Sequence, residues 1–289
     1  MPNLYTIAVC QKSSEEALSA AEKFSVVYHN LFDYPLTFAD LIKWSPGKVF
    51  SPTYAQASVI CQNGYFLLQG REGLDYKRAL RGRISVKKLE IAIKASNILS
   101  LIPSVKMVAV TGSLAMDNAA DESDIDFLII TKANLIWTTR LLSYLFLKIF
   151  KFDLRKAGDK KQKDKACLNM WLDKGDLAWR KNDRNFYTAH EIAQIVPLVN
   201  KDKTYEMFLY ENRWILKYWP NAVRIVKSKK SASNNNWLVS LLLTPIEKVA
   251  YWLQYWYMKP KITREIVMPK RAIFHPQDWG AYVLSRLSP

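Results

Sequence analysis

The first seventy residues switch from a helical period to short broken segments. Ala17, Leu18, Ala21, Phe24 and Val27 recur at helical spacing and predict a helix that ends before Asp33-Tyr34-Pro35. Thr37 is placed to cap a second helix over residues 38–44, and Ser45-Pro46-Gly47 marks a turn. A third helix is expected over 53–62, closed by Asn63-Gly64, with a strand over 65–69. Three short helices and a β element outline a winged helix. The same segments also read as a helical cap packed on the next unit.

From Ser85 the apolar positions Val86, Leu89 and Ile93, extended by Ala92, Leu99 and Ile102, predict a helix that Pro103 stops. An α/β section follows: strands over 106–110 and 125–130, a buried helix over 135–150, and a strand over 167–172 reached through the lysine-rich loop 156–165. Beyond Asn185 the pattern reads as helical throughout. It places helices over 186–196, 205–219 and Trp237–Met258, the last after a Ser/Asn-rich break at 231–236.

Composition narrows this outline. The 289 residues are 49% apolar and 13% aromatic, enough for a packed core, and the formal charge is +16. A surface this basic suits polyanions such as nucleic acid, nucleotide phosphates or anionic lipid, and also an ordinary lysine-rich soluble protein. The run Arg71, Lys77, Arg78, Arg81, Arg83, Lys87, Lys88 and Lys94 reads first as a solvated helix face, with a phosphate-contacting helix as the alternative. Lys160, Lys161, Lys163 and Lys165 either reach triphosphate or solubilise their loop. Cys10, Cys61 and Cys167 are few and far apart, which argues for a reducing compartment and against a disulfide framework or a cysteine-rich zinc site. With no signal pattern and no apolar run of about 18 residues, the expected location is cytoplasmic. The aromatic stretch Trp237–Met258, followed by Lys259, Lys261, Arg264, Lys270 and Arg271, packs on the core or on a second subunit; peripheral membrane contact is a lesser reading. Nothing in the pattern sets the oligomeric state.

The chemistry concentrates in residues 108–131. A strand ending in Gly112-Ser113 makes a tight turn where only glycine lets an anion approach the backbone, and Ser113 adds a hydroxyl donor. Ten residues later Asp124-Ile-Asp126 opens a strand, so period two sends both carboxylates to one face and Ile125 and Phe127 into the core. Two adjacent carboxylates repel unless a cation sits between them, and hard oxygen ligands with open positions suit Mg²⁺.

This arrangement, a hydrophobic strand, Gly-Ser, about ten residues, then Asp-hydrophobic-Asp-hydrophobic, resembles the motif of the DNA polymerase beta nucleotidyltransferase superfamily. The resemblance implies that Gly112 and Ser113 bind the β- and γ-phosphates of an NTP substrate, and that Asp124 and Asp126 are catalytic and hold one or two Mg²⁺ ions. It implies an α+β fold: a small mixed nucleotidyltransferase sheet with flanking helices over 85–180, preceded by a small helical, possibly winged-helix domain (1–84) and followed by a helical C-terminal region (181–289). The superfamily usually supplies a third carboxylate from a later strand, close enough to deprotonate the acceptor. Here that strand presents Asn169, which can ligate through its oxygen but cannot act as a base. Asp173 shares its parity but lies four residues on, roughly 13 Å along a strand.

The expectation is transfer of a nucleoside monophosphate from Mg-NTP to an acceptor hydroxyl, with Asp124, Asp126 and Asn169 at the centre. The alternative is a catalytically degenerate nucleotide-binding or nucleic-acid-binding regulatory module. His190, next to Glu191 at the start of a helix, reads as a hydrogen-bonded structural residue before a catalytic one, and Trp214 and Trp219 read as core.

Overall fold

The computed structural model describes residues 18–47, 54, 56–156, 158–227, 237–274 and 278–287. The break at 231–236 and the start of the expected third helix at residue 53 therefore lie outside the described residues. Two reciprocal caps set the N-terminal helices. Ser19 accepts from Glu22 N–H at 3.3 Å while the Glu22 carboxylate accepts from Ser19 N–H at 2.8 Å, starting α1 (Ala20–Asn30). Thr37 and Asp40 do the same for α2 (Phe38–Lys43), as the sequence predicts.

The helix expected up to Gln62 is not formed there. Val59–Gln62 is strand β1, paired antiparallel with β2 (Tyr65–Leu68). Asn63 and Gly64 have φ of +51° and +83°, so they make a two-residue hairpin loop instead of a helix stop. Leu36 bridges Phe66 and adds a third chain to this small sheet. Helix α3 (Leu74–Ser100) begins eleven residues before the predicted Ser85, behind Gly73 in the left-handed region, and runs unbroken through residues 84–85.

The central sheet contains β3 (Val105–Val110), β4 (Ile125–Thr131), β5 (Ala166–Asp173), β6 (Val196–Asn200), β7 (Ile266–Met268) and β8 (Arg271–Ile273), in the order β6-β3-β4-β5-β8-β7. Only β4 and β5 run parallel, joined through α5 (Ile136–Ile149); all other pairs are antiparallel. The region after Asn185 is thus not all helical: it adds β6 to one edge and the β7–β8 hairpin to the other. Pro197 lacks a donor and fits only because β6 is an edge strand. The hairpin strands are three residues each, too short to show a period. The remaining helices are the single turn α4 (Gly112–Ala115), α6 (Phe186–Ala193), α7 (Thr204–Glu211), α8 (Trp237–Met258) and α9 (Trp279–Leu287). The helix predicted over 205–219 ends at Glu211 because buried Asn212 turns to the Leu177 and Phe208 carbonyls, and a 3₁₀ segment, Arg213–Lys217, follows.

Two apolar layers cover the sheet. On one face Met107, Leu128 and Leu172 pack with α6 and also with Phe24, Tyr28, Leu36 and Trp44, so the N-terminal elements share a core with the sheet. Trp214 and Trp219 are buried in that layer, as expected. On the other face Val108, Ile129 and Trp171 pack under α3 and α5. Cys61 is disulfide-bonded, which runs against the reducing-compartment reading of three sparse cysteines. Cys167 is a free, buried thiol.

Candidate active site

At the end of β3 the chain turns through Gly112, whose φ is +60°. A Cβ at this position would stand 3.1 Å from Asp126 Oδ2. Glycine is needed both for the left-handed backbone and for the close approach to the carboxylate. Thr111 N–H donates to the Asp126 carbonyl at 3.0 Å, tying the turn to the first residues of β4. A single helical turn carries little dipole, so α4 offers an anion mainly backbone N–H groups and the exposed Ser113 hydroxyl.

The loop between Ser113 and Asp124 is fastened by the basic helix. On α3, Arg78, Arg81, Ser85 and Lys88 recur at intervals of three and four, which is one helix face. Arg78 donates to the Met116 and Asp117 carbonyls, Arg81 to Asn118 Oδ1, and Ser85 Oγ accepts from Ala119 N–H. The buried Lys88 ammonium donates to the Asp121 and Ser123 carbonyls and to Asp164. The expected solvated face is real only for Arg83, Lys87 and Lys94, which are exposed.

Asp124 and Asp126 leave β4 on one side and meet β5 there. Arg155 pairs with Asp124 at 2.6 Å, and Asn169 Nδ2 donates to Asp126 Oδ1 at 2.7 Å. Between the pairs Asp126–Cys167 and Leu128–Met170, β5 has one residue more than β4. Cys167 and Asn169, two apart on β5, share a side by ordinary alternation, and both reach the carboxylates. Asp124, Asp126 and Cys167 each present a ligand atom, all within 4.8 Å of one another. The bulge breaks the alternation on which Asp173 shared a side with Asn169. The Asp173 carboxylate accepts from Asn134 and Gly175 N–H at 2.5 and 2.6 Å and serves as a turn anchor away from the site.

Burial, and then the charge of Asp124, push the Asp126 carboxyl up to about 7. A cation between the two would relieve both effects. Burial and the charges of Asp126 and Asp124 push the Cys167 thiol up as well, so it stays protonated and is a poor ligand for a hard ion. Asn169 Oδ1 is buried without a hydrogen-bond partner, an oxygen left over beside the carboxylates. Two carboxylates with a spare amide oxygen fit a divalent cation of the hard class.

Asp126 of this cluster opens onto a cavity of about 450 Å³, large enough for a small-molecule ligand. Gly112, Ser113 and Asp126 line it together with Phe32 and Tyr34 of the N-terminal elements and Tyr187 and Glu191 of α6. Glu191 accepts from Gln194 Nε2 at 2.8 Å, and its carboxyl is pushed up to about 7 by burial and by the charge of Asp126. A further carboxylate therefore does share the cavity with Asp126, but it comes from α6, not from β5. Burial raises the Tyr187 hydroxyl as well, with Glu191, Asp278 and Asp126 adding to it.

His190 is buried, stacked on Trp44 at a ring separation of 4.0 Å, and its Nε2 lies 3.1 Å from His29 Nε2. This is the structural role the sequence favours. Arg155, Cys167 and Glu191 are the members of the site that sequence reasoning did not select. Glu191 had one signal, its position at a helix start beside His190, and Cys167 had another, its shared strand parity with Asn169; Arg155 had none.

Residues 93–172 match the family model of the nucleotidyltransferase domain. The matched span starts within α3, ends in β5 and contains Gly112, Ser113, Asp124, Asp126, Cys167 and Asn169, while Glu191 and the cavity's aromatic walls lie outside it. No curated protein matches the chain.

Proposed function

We propose that this chain, which carries a nucleotidyltransferase domain of the polymerase beta-like kind at residues 93–172, transfers a nucleoside monophosphate from Mg-NTP to an acceptor hydroxyl held in the cavity. The observation that carries the reading is the paired Asp124 and Asp126 beside the Gly112 turn, with Glu191 facing the same space. Asp124 and Asp126 would hold Mg²⁺, which when bound neutralises phosphate charge and stabilises the leaving pyrophosphate. Gly112 and Ser113 would take the β- and γ-phosphates through backbone N–H groups and the hydroxyl. Asn169 positions Asp126 through its 2.7 Å hydrogen bond. Glu191 is the candidate base. The acceptor oxygen attacks the α-phosphorus, its proton passes to the Glu191 carboxylate, and the bond to the β-phosphate oxygen breaks to release pyrophosphate.

The N-terminal elements contribute His29, Phe32 and Tyr34 to the cavity lining, which favours a role in enclosing substrate. A second reading, a nucleotide-sensing module without transfer, is favoured by Asn169 where a carboxylate is usual. Incubation with each α-labelled NTP, Mg²⁺ and panels of hydroxylated acceptors, scored by pyrophosphate release, separates the two. Transfer that disappears in Asp124→Ala and Asp126→Ala supports the enzyme. Nucleotide binding without pyrophosphate release under any condition supports the sensor, and release undiminished in both variants rules the site out.

A further inference from the structure

Helices α5 and α8 lie side by side, locked together by polar contacts that face inward. Glu247 of α8 accepts from Trp137 and Thr138 N–H at 2.7 and 2.9 Å, capping the first turn of α5. Gln254 donates to the Trp137 carbonyl and accepts from Arg140 at 2.6 Å. These contacts tie the first turns of α5 to residues 247–254 of α8.

Among the described residues the opposite side of the pair is apolar and exposed. On α8, Val249, Trp252, Leu253, Trp256 and Tyr257 are exposed, Trp252 by 60%, Leu253 by 66% and Trp256 by 79%. On α5, Leu141, Leu145 and Ile149 follow one stripe at intervals of four and are exposed too. Isolated exposed apolar residues are ordinary, but a patch spanning two helices and rich in tryptophan marks a binding surface.

Charge selects the occupant. Helix α5 contains no acidic residue, and the one acid of α8, Glu247, is turned inward and buried. The exposed charged residues of the two helices, Lys148 and Lys248, are basic, and so are Lys151 two positions past α5 and Lys259 directly after α8. A second copy of the same face would set lysine against lysine. A bilayer with anionic headgroups meets both halves of the pattern, because tryptophan and tyrosine settle at the headgroup level and lysines pair with the phosphates above it. Among the described residues no helix is long and apolar enough to cross a membrane, so the contact is one of lying on the surface.

We infer that the outer face of α5 and α8 docks this protein on anionic membranes, with Trp252, Leu253 and Trp256 inserted at the interface and Lys148, Lys248 and Lys259 on the headgroups. The inference is independent of the proposed transfer activity.

The test is co-flotation of the full chain with phosphatidylcholine vesicles containing either no anionic lipid or about a third phosphatidylglycerol, alongside size-exclusion chromatography with light scattering. The expected result is binding to the anionic vesicles only, with a blue shift of tryptophan emission. A Trp252→Ser, Leu253→Ser, Trp256→Ser variant, folded by circular dichroism because these side chains are solvent-facing, loses the binding. Lys148→Gln, Lys248→Gln and Lys259→Gln each weaken it by roughly fivefold, at about 1 kcal/mol per lysine. Absence of binding to anionic vesicles overturns the inference, as does equal binding by the serine variant. A dimer that the serine variant breaks, without vesicle binding, assigns the face to a second copy instead.

Discussion

Asn169 gives its amide N–H to Asp126 at 2.7 Å and keeps its own oxygen buried with no partner. The residue thus holds the Asp126 carboxylate by its nitrogen and keeps an oxygen free beside it. Asn169→Ala removes both and lowers transfer on the order of 10- to 100-fold, the usual range for a supporting partner of a metal ligand. Asn169→Asp adds a third negative charge to a buried pair, so the metal-free protein melts lower than wild type. Mg²⁺ then raises its Tm by more than it raises that of wild type. Thermal shift with and without Mg²⁺ reads both variants, and a metal response equal to wild type in Asn169→Asp would remove Asn169 from the site.

Glu191→Gln separates binding from chemistry. The amide keeps the size of the side chain but cannot take a proton. We expect the Mg-NTP affinity to stay within about twofold and kcat to fall by roughly 10²–10⁴. In wild type the rate rises with pH as Glu191 ionises. Its carboxyl sits at about 7 partly because of the charge on Asp126. A cation on Asp126 withdraws that effect, so the limb in kcat lies below 7. Loss of the limb in Glu191→Gln identifies the base; an unchanged profile assigns it elsewhere.

Gly112→Ala tests the turn. The substitution forces an L side chain to φ +60° and puts its Cβ 3.1 Å from Asp126 Oδ2. Backbone strain of about 1 kcal/mol is the lesser effect. Displacement of the carboxylate is the larger, so Mg²⁺ and NTP affinity fall together while the fold, followed by circular dichroism, is retained. Loss of NTP affinity with Mg²⁺ affinity intact would mean that the turn contacts phosphate alone.

Gly112, Ser113, Asp124 and Asp126 were legible because the turn and the strand alternation are local rules that act within two dozen residues. Thr37 as a cap and the span of α5 were legible for the same reason. What the sequence hid are events between distant segments. The β5 bulge between Cys167 and Met170 breaks the period on which Asp173 reads as sharing a side with Asn169. Lys88 looks like any exposed lysine until residues 121, 123 and 164 converge on it. Glu191 lines one cavity with Asp126 only because α6 packs on the same face of the sheet. The helix misread before Asn63 shows a different limit: a two-residue turn signal outweighed a weak helical period.

The pH dependence of stability should expose two opposing buried sets. His29 Nδ1 lies 2.8 Å from the Ser25 carbonyl, which only accepts, so Nδ1 carries the proton. Its Nε2 is then the acceptor, and His190 Nε2 donates across the 3.1 Å contact. Burial lowers His29 to about 4 and His190 well below its usual range, the latter helped by His29 itself. Because the unfolded imidazoles protonate near 6.5, stability from this pair is full above 6.5 and declines as pH falls toward 4. Asp126 and Glu191 act with the other sign. Raised to about 7, they bind protons more tightly in the folded chain, so their contribution is full below about 4 and is lost as pH rises toward 7. In wild type the two trends offset each other between pH 4 and 7 and the Tm profile is shallow. Asp126→Asn removes one opposing slope, so that variant gains Tm relative to wild type at pH 7.5 and little at pH 4.5. His29→Phe removes part of the other, so in that variant Tm rises as pH falls from 7 toward 4. Parallel Tm–pH curves for wild type and both variants would show that neither set titrates as the geometry requires.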